Sequence, residues 1–284
     1  MNRCHATAPV LNVSGTASVR NVSNIMRLKK STRLIANVKA EQENGTVNVY
    51  EYARKGEIMT RVTLIRHCEA MGNYERIFQG HTDADISENG KVQLELLSVR
   101  CRNMPIDVLY SSPLKRAYRT AEAVNTYHHL PIQVDAGLME INGGLWEGEK
   151  WEELPALYPD HAVLWNTKPC DFAPPEGESM RQVYDRMWNT VTKIVDENRE
   201  KKIVITSHGC AIRNFLCRAM GKPIEQLNDV DWCDNTAISI IDFDDMLEPH
   251  IVLLNDASHL SEETSTFSKQ SWWKPENREN NKMG

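Results

Sequence analysis

The stretch Arg61-Val-Thr-Leu-Ile-Arg66 is a short run of β-branched and aliphatic residues, and this pattern predicts a buried β-strand. A second run of the same kind, Lys202-Ile-Val-Ile-Thr-Ser207, is the clearest strand of the chain. A histidine follows each run directly, His67 after the first and His208 after the second. These two strands and the segments around them decide the fold.

Predicted strands and helices alternate along the middle of the chain. The other predicted strands lie at 106–110, 132–134, 238–243 and 250–254, and the predicted helices lie at 87–102, 113–127, 179–198 and 210–220. This alternation indicates an α/β fold in which helices cover both faces of a mostly parallel sheet. The last two strands follow each other without a helix, which predicts one antiparallel edge strand. The predicted fold class is therefore a three-layer α/β/α sandwich.

The charge of the chain is unevenly distributed. The 284 residues carry a formal net charge of -6, whereas residues 1–40 contain seven basic residues and no acidic one. We predict a basic, disordered extension over residues 1–58, one domain over 59–258 and a polar, flexible tail over 259–284. Residues 143–178, rich in tryptophan and proline, predict an irregular insertion over the active site. Two alternatives for the extension stay open, an organelle transit peptide in residues 1–40 and upstream sequence before a start at Met59.

Composition excludes several classes of protein. No run approaches the roughly 18 apolar residues of a membrane-spanning helix, which argues against an integral membrane protein. An acidic chain is also a poor partner for the phosphate backbone of nucleic acid. Seven cysteines without CxxC spacing fit reduced thiols inside a cell, so we predict a cytoplasmic location, or an organelle if residues 1–40 act as a transit peptide.

Basic and nucleophilic side chains follow the ends of the predicted strands. The first strand ends at Arg66-His67, Arg116 follows the second, and Ser207 is followed by His208 and Gly209. Glu140 follows the strand at 132–134, on a glycine-rich loop. Ligands bind beyond the carboxyl ends of the strands in such a sheet. Two histidines, two arginines and a carboxylate at this edge predict an electropositive pocket for a phosphate group.

The ordered set of motifs resembles the histidine phosphatase superfamily, which also contains cofactor-dependent phosphoglycerate mutase. The resemblance runs from about residue 62 to about residue 254, roughly two thirds of the chain. The matching motifs are Leu64-Ile-Arg-His67 with Glu69 and Asn73, Gln79-Gly80, Asp85-Ile-Ser-Glu-Asn-Gly90, Tyr110-Ser-Ser-Pro-Leu-Lys-Arg-Ala117 with Thr120-Ala121, Glu140 followed by Trp146-Glu-Gly148, and Val204-Ile-Thr-Ser-His-Gly209.

The resemblance implies a metal-independent phosphatase without a cofactor, acting on small phosphate monoesters through a phosphohistidine. His67 is then the nucleophile and Glu140 the proton donor. The implied phosphate-binding groups are Arg66, Arg116 and His208, bordered by Asn73, Gln79, Gly80 and Gly209. Such roles make chemical sense, because a covalent phosphohistidine splits one difficult step into two and guanidinium groups donate in pairs to phosphate oxygens. The expected partner is a small phosphorylated metabolite, not a nucleic acid or a membrane.

Two alternatives to hydrolysis stay open. The first is phosphoryl transfer of the mutase type. Mutases of the family follow the acidic Glu with Arg-His-Tyr-Gly, whereas Glu140 is followed by Ile-Asn-Gly-Gly144, which favours hydrolysis.

The second alternative is a phosphate-binding protein with impaired catalysis. The family has Gly directly after the nucleophile, and this chain has Cys68. Glycine allows backbone conformations and close approaches that other residues do not. A thiol beside a positive pocket is also a candidate for a lowered pKa and for oxidation. The particular phosphate ester and the oligomeric state stay open.

Overall fold

The computed structural model describes residues 37–43, 46–52 and 59–270, in two units at residues 1–56 and 57–284. In the first unit, strands β1 (Asn37–Glu43) and β2 (Thr46–Tyr52) pair antiparallel. The rest of the predicted extension over 1–58 lies outside the described residues, as do residues 271–284 of the predicted tail. The second unit contains all the elements that follow.

A six-stranded sheet forms the middle layer of the second unit. Its strands are β3 (Thr60–Arg66), β4 (Val108–Ser111), β5 (Ile132–Val134), β6 (Lys202–Ser207), β7 (Ile238–Phe243) and β8 (Pro249–Asp256), in the order β5-β4-β6-β3-β7-β8. Strands β3 to β6 pair in parallel, and β7 pairs antiparallel with both of its neighbours. The mostly parallel sheet is confirmed. The expected antiparallel strand is β7, which lies one position inside the edge formed by β8.

Helices cover both faces of this sheet. The α-helices are α1 (Met71–Glu75), α2 (Glu88–Cys101), α3 (Lys115–Val124), α4 (Leu154–Leu157), α5 (Pro159–Thr167), α6 (Met180–Glu197), α7 (Gly209–Ala219) and α8 (Thr266–Lys269). Short 3-10 turns lie at Asn125–Tyr127, Ala136–Leu138, Gly144–Trp146, Pro169–Asp171 and Ile224–Asp229. Local sequence explains why α6 begins where it does, since the Ser179 hydroxyl accepts from the Gln182 backbone and the Gln182 side chain accepts from Ser179 N.

Alternate side chains along the strands pack into two separate hydrophobic cores. Val62 and Leu64 of β3 join the larger core, which contains the buried faces of α6 and α7. Ile65 of the same strand joins a smaller core with Leu97 of α2 and Val124 of α3. The period of two along the strand therefore sends side chains to both helical layers, and the three-layer α/β/α architecture is confirmed.

Three segments contain more regular structure than the sequence predicts. The extension over 1–58, predicted to be disordered, contains the paired strands β1 and β2. The insertion at 143–178 includes α4 and α5, which both have proline in their first turn. Residues 259–270 of the predicted flexible tail pack against the domain, and Thr266 in α8 is buried. The Thr266 hydroxyl donates to Oε2 of the buried Glu69 at 2.9 Å, so this part of the tail is anchored by a polar contact. Among the described residues, no helix is long and apolar enough to cross a membrane.

Removing the Thr266 hydroxyl should destabilise the domain. Thr266→Val keeps the shape of the side chain but leaves the Glu69 carboxylate without one of its donors, so we expect the free energy of unfolding to fall by about 1–3 kcal/mol. Urea denaturation measures the change. Thr126→Val is the matched control, because Thr126 is exposed. Equal stabilities of the two variants would contradict the anchoring role.

Candidate active site

The carboxyl ends of three neighbouring parallel strands bring the predicted site together. His67 follows β3, Ser112 follows β4 and His208 follows β6, and these strands are adjacent in the sheet. The His67 backbone N–H donates to the Ser207 carbonyl at 2.8 Å, which extends the pairing of β3 with β6 to the histidine. The imidazole centroids of His67 and His208 lie 5.1 Å apart.

Backbone geometry fixes the tautomer of His67. Its Nδ1 lies 2.6 Å from the carbonyl oxygen of Cys68. A carbonyl only accepts, so Nδ1 carries the proton and Nε2 keeps its lone pair. Burial of the ring, together with the positive charges of Arg116 and Arg66, lowers the pKa of His67 well below its usual value. The site therefore holds a neutral imidazole whose Nε2 has a free lone pair.

His208 is buried beside His67. Its Nε2 lies 2.7 Å from the Ser112 hydroxyl, whereas Nδ1 has no hydrogen-bond partner among the described residues. Burial, followed by the charge of Arg116, lowers the pKa of His208 well below its usual value. Both rings are thus neutral at neutral pH.

Arg66 lies against the start of α7. One of its guanidinium nitrogens, Nη1, donates to the Cys233 carbonyl at 2.6 Å. Gly209 faces this guanidinium, and a Cβ at that position would come within 3.2 Å of Arg66 Nε. The absence of a side chain at Gly209 therefore lets the charged group approach the helix closely.

Arg116 is almost completely buried at the other side of the site. Its two terminal nitrogens donate to the carbonyls of Thr82 at 2.8 Å and Gly80 at 2.7 Å. Burial lowers the pKa of Arg116 to about 10, so the group is still positively charged at neutral pH. The Nε atoms of Arg66 and Arg116 are buried donors without a partner in the described part of the chain. Buried unpaired donors are unusual, and an anion placed between them would satisfy both.

The carboxylate of Glu140 occupies the first turn of α7. Oε1 accepts from the backbone N–H groups of Ile141 and Ala211 at 2.9 Å each, and Oε2 accepts from Cys210 N at 3.0 Å. The first N–H groups of a helix have no partner within it, and the helix dipole is positive there. The sequence places His208 immediately before this turn, so Glu140 is held beside the histidine pair.

A second carboxylate, that of Glu147, organises the loop that holds Arg116. It accepts from the backbone N–H groups of Gly80, His81 and Thr82 at 3.1, 2.7 and 3.0 Å. Burial alone would raise the pKa of Glu147, but hydrogen bonds, chiefly from Thr82 and His81, outweigh it and the net pKa lies below the usual value. Glu147 is not among the predicted site residues, although it belongs to the quoted Trp146-Glu-Gly148 motif.

Arg186 of α6 is a further residue that no sequence motif indicates. It donates to the carbonyls of Gly137 at 2.8 Å, Met139 at 2.9 Å and Glu140 at 3.3 Å. Both oxygens of Glu178 accept from it at 2.7 Å. Arg186 therefore fixes the backbone of the loop that carries Glu140.

Two predicted phosphate-binding residues, Asn73 and Gln79, also make structural contacts. The Asn73 side-chain oxygen accepts from Ala70 N at 3.0 Å, at the start of α1. The Gln79 amide oxygen, in the orientation that suits its neighbours, accepts from the backbone N–H groups of Gly72 and Asn73 at 3.0 and 2.9 Å. Gly80 contributes its carbonyl to Arg116, and a Cβ there would lie 2.1 Å from the Ile141 carbonyl. The structure therefore brings together His67, His208, Arg66, Arg116, Glu140, Gly80 and Gly209. Asn73 and Gln79 make hydrogen bonds that hold α1, and Gln79 also lines a pocket with Glu140.

Cys68 fits its position without strain. It is not among the residues with positive φ, and its backbone N–H donates to the Thr120 hydroxyl at 3.0 Å. The side chain is fully buried, and burial raises the pKa of the thiol to about 12. The predicted acidification of this thiol is therefore wrong, because loss of solvent outweighs the neighbouring positive charge.

Comparison with known proteins agrees with this geometry. The family model of the histidine phosphatase superfamily (branch 1) matches residues 62–257. Phosphoserine phosphatase 1 of Hydrogenobacter thermophilus is 31% identical over 207 residues, covering 72% of this chain and 96% of its own. Phosphoglycerate mutase-like protein 4 of Arabidopsis thaliana is 29% identical over 204 residues, covering 71% and 87%.

Solved structures give the same result. Bacillus stearothermophilus YhfR superposes with a TM-score of 0.68 at 29% identity, over 71% of this chain and 100% of its own. The Entamoeba histolytica phosphoserine phosphatase, in complex with 3-phosphoglyceric acid, gives 0.63 at 27% identity, over 72% and 100%. The family model covers most of the chain, including the residues that build the buried histidine and arginine cluster. This chain therefore belongs to branch 1 of the histidine phosphatase superfamily.

Proposed function

We propose that this protein is a phosphatase that hydrolyses small phosphate monoesters through a phosphohistidine on His67, without a metal ion or a cofactor. The observation that carries the proposal is the state of His67. It is a buried neutral imidazole whose Nδ1–H donates to the Cys68 carbonyl and whose Nε2 lone pair is available for reaction. Relatives named as phosphoserine phosphatases support the same reaction class.

The first chemical step transfers the phosphoryl group to the enzyme. His67 Nε2 attacks phosphorus in line, the bond from phosphorus to the ester oxygen breaks, and protonated Glu140 gives its proton to the leaving oxygen. The charge of the transferring group spreads over its equatorial oxygens. The unpaired Nε–H groups of Arg66 and Arg116 are the donors available to these oxygens.

The second step returns the group to water. The Glu140 carboxylate takes a proton from a water molecule, whose oxygen attacks phosphorus, and the bond to His67 Nε2 breaks. Phosphate leaves, and both side chains return to their starting state. Three backbone N–H groups hold the Glu140 carboxylate in one place, so the same group serves both steps without a rotamer change.

Two observations favour hydrolysis over the alternatives. Glu140 is followed by Ile-Asn-Gly-Gly144, which offers no cation to keep a second phosphate or a sugar acid in place between the two steps. Cys68 has ordinary backbone geometry, so the replacement of Gly gives no reason to expect a damaged site. A protein that only binds phosphate would also have no use for a proton donor at Glu140.

The phosphohistidine should be detectable directly. Mixing with an aryl phosphate and quenching within milliseconds should add about 80 Da, one phosphoryl group, to the intact mass. His67→Ala should lose the adduct and reduce kcat/KM by at least about 10³-fold. His250→Ala is the control, because His250 is exposed on β8. Persistence of the adduct in the His67 variant would place the nucleophile elsewhere.

The protonation state of His67 generates a pH prediction. The ordinary histidine pKa is about 6.5, and the pKa of His67 is lowered, so its neutral form should persist below that pH. The acid limb of kcat/KM, corrected for ionisation of the substrate, should therefore lie below pH 6.5. Imidazole ¹⁵N shifts should show the Nδ1–H tautomer over the same range. A His67 titration midpoint at the ordinary value would contradict the assignment.

The role of Glu140 as proton donor predicts that the rate lost on its substitution depends on the leaving group of the substrate. Glu140→Gln cannot donate a carboxylic proton, so hydrolysis of an alkyl phosphate should slow by about 10²–10⁴-fold. p-Nitrophenyl phosphate, whose leaving group needs little protonation, should lose much less in the formation of the phosphohistidine, measured as a burst of p-nitrophenolate. Glu152→Gln, an exposed change in the insertion, is the control. Equal losses for both esters would indicate a structural role for Glu140 only.

A further inference from the structure

An aromatic pocket adjoins Glu140. Its described lining includes Phe78, Trp151, Trp165 and Trp232, together with Glu140 itself. The four aromatic residues come from four separate segments: the loop after α1, the segment before α4, α5, and the segment before β7. A pocket assembled from distant parts of the chain next to the proposed proton donor is in the position of a subsite for the leaving group.

The aromatic rings form one continuous wall. Phe78 and Trp151 have ring centroids 5.1 Å apart, Trp151 and Trp165 are 5.5 Å apart, and Trp165 and Trp232 are 6.1 Å apart. Behind this wall, the fully buried Phe172 packs 4.9 Å from Trp165. Tilted and edge-to-face contacts at such distances are favourable for aromatic groups, and a ligand ring can extend them.

The described lining of the same pocket contains no cation that could bind a second anionic group of the substrate. No Lys or Arg is among its described lining residues, and Glu140 is the charged group there. Of the candidate cations, Lys168 pairs with Asp171 and Arg181 pairs with Glu225 at 2.6 Å, and the exposed Lys150 is outside the described lining. A substrate carboxylate in the pocket would therefore lose its water without gaining an opposite charge, which is costly.

We propose that this pocket binds the leaving group of the substrate, and that this group is an uncharged aromatic alcohol. The inference rests on the proposed function, since it assigns the alcohol part of the phosphate ester to one end of the same site. The phosphate occupies the arginine and histidine cluster, Glu140 meets the bridging oxygen, and the ring of the alcohol lies against Trp151 and Trp165. Esters that carry a carboxylate on the alcohol are then disfavoured.

Three alkyl phosphates with similar leaving oxygens test the assignment. Wild-type kcat/KM for benzyl phosphate should exceed that for ethyl phosphate and for 3-phosphoglycerate by at least about tenfold, the usual size of discrimination by an apolar pocket. Trp151→Arg should lower the benzyl value by about tenfold and raise the 3-phosphoglycerate value. Val163→Arg is the control, because it adds the same charge at an exposed position of the same insertion, outside the described lining.

Binding measurements with phosphonates that are not hydrolysed distinguish failure of this inference from failure of the proposed function. Calorimetry with benzylphosphonate and ethylphosphonate, which are not hydrolysed, should give about tenfold tighter binding of the benzyl compound, and Trp151→Arg should abolish the difference. Equal affinities, or a wild-type preference for 3-phosphoglycerate, would overturn the aromatic subsite and leave the phosphatase proposal intact. Selective binding without hydrolysis of any ester would support the subsite and reject the phosphatase.

Discussion

The hydrogen bond from His67 N to the Ser207 carbonyl carries the pairing of β3 and β6 one step beyond the sheet. It fixes the register in which the two strands end, and so places His67 and His208 side by side. The start of α7 follows at once, and its free N–H groups receive Glu140. A shift of this pairing by two residues would move one histidine by about 7 Å relative to the other and separate the two rings.

Carbonyl oxygens, not carboxylates, hold the two buried arginines. Arg66 donates to Cys233, and Arg116 donates to Thr82 and Gly80. Carbonyl partners orient a guanidinium and replace part of its lost water without cancelling its charge. The positive charge is thus available to a phosphate group in a protein that is acidic overall. Glu147 acts one step further away, because it holds the loop whose carbonyls face Arg116.

The parts of this structure that depend on short local patterns follow from the sequence. The predicted bounds of β5, β6 and β7 agree with the structure, because apolar runs with clear ends define them. Arg186 gives no such pattern, since its role lies in contacts with carbonyls about 46–49 residues away. The packing of α8 is not predictable from the sequence because it also depends on distant contacts. This polar segment is ordered by buried partners such as Glu69.

The anchoring of α8 also bears on how the chain folds during synthesis. The loop after β3 emerges early, yet the Thr266 donor to Glu69 comes 197 residues later, and the flanking strands β6 and β7 come more than 130 residues later. Contacts so distant in sequence are slow to form, and unpaired strand edges in a growing chain are prone to aggregation. The strand that carries His67 therefore stays without its sheet neighbours until more than 130 further residues have been synthesised, and the Glu69 contact forms only after α8 has emerged from the ribosome.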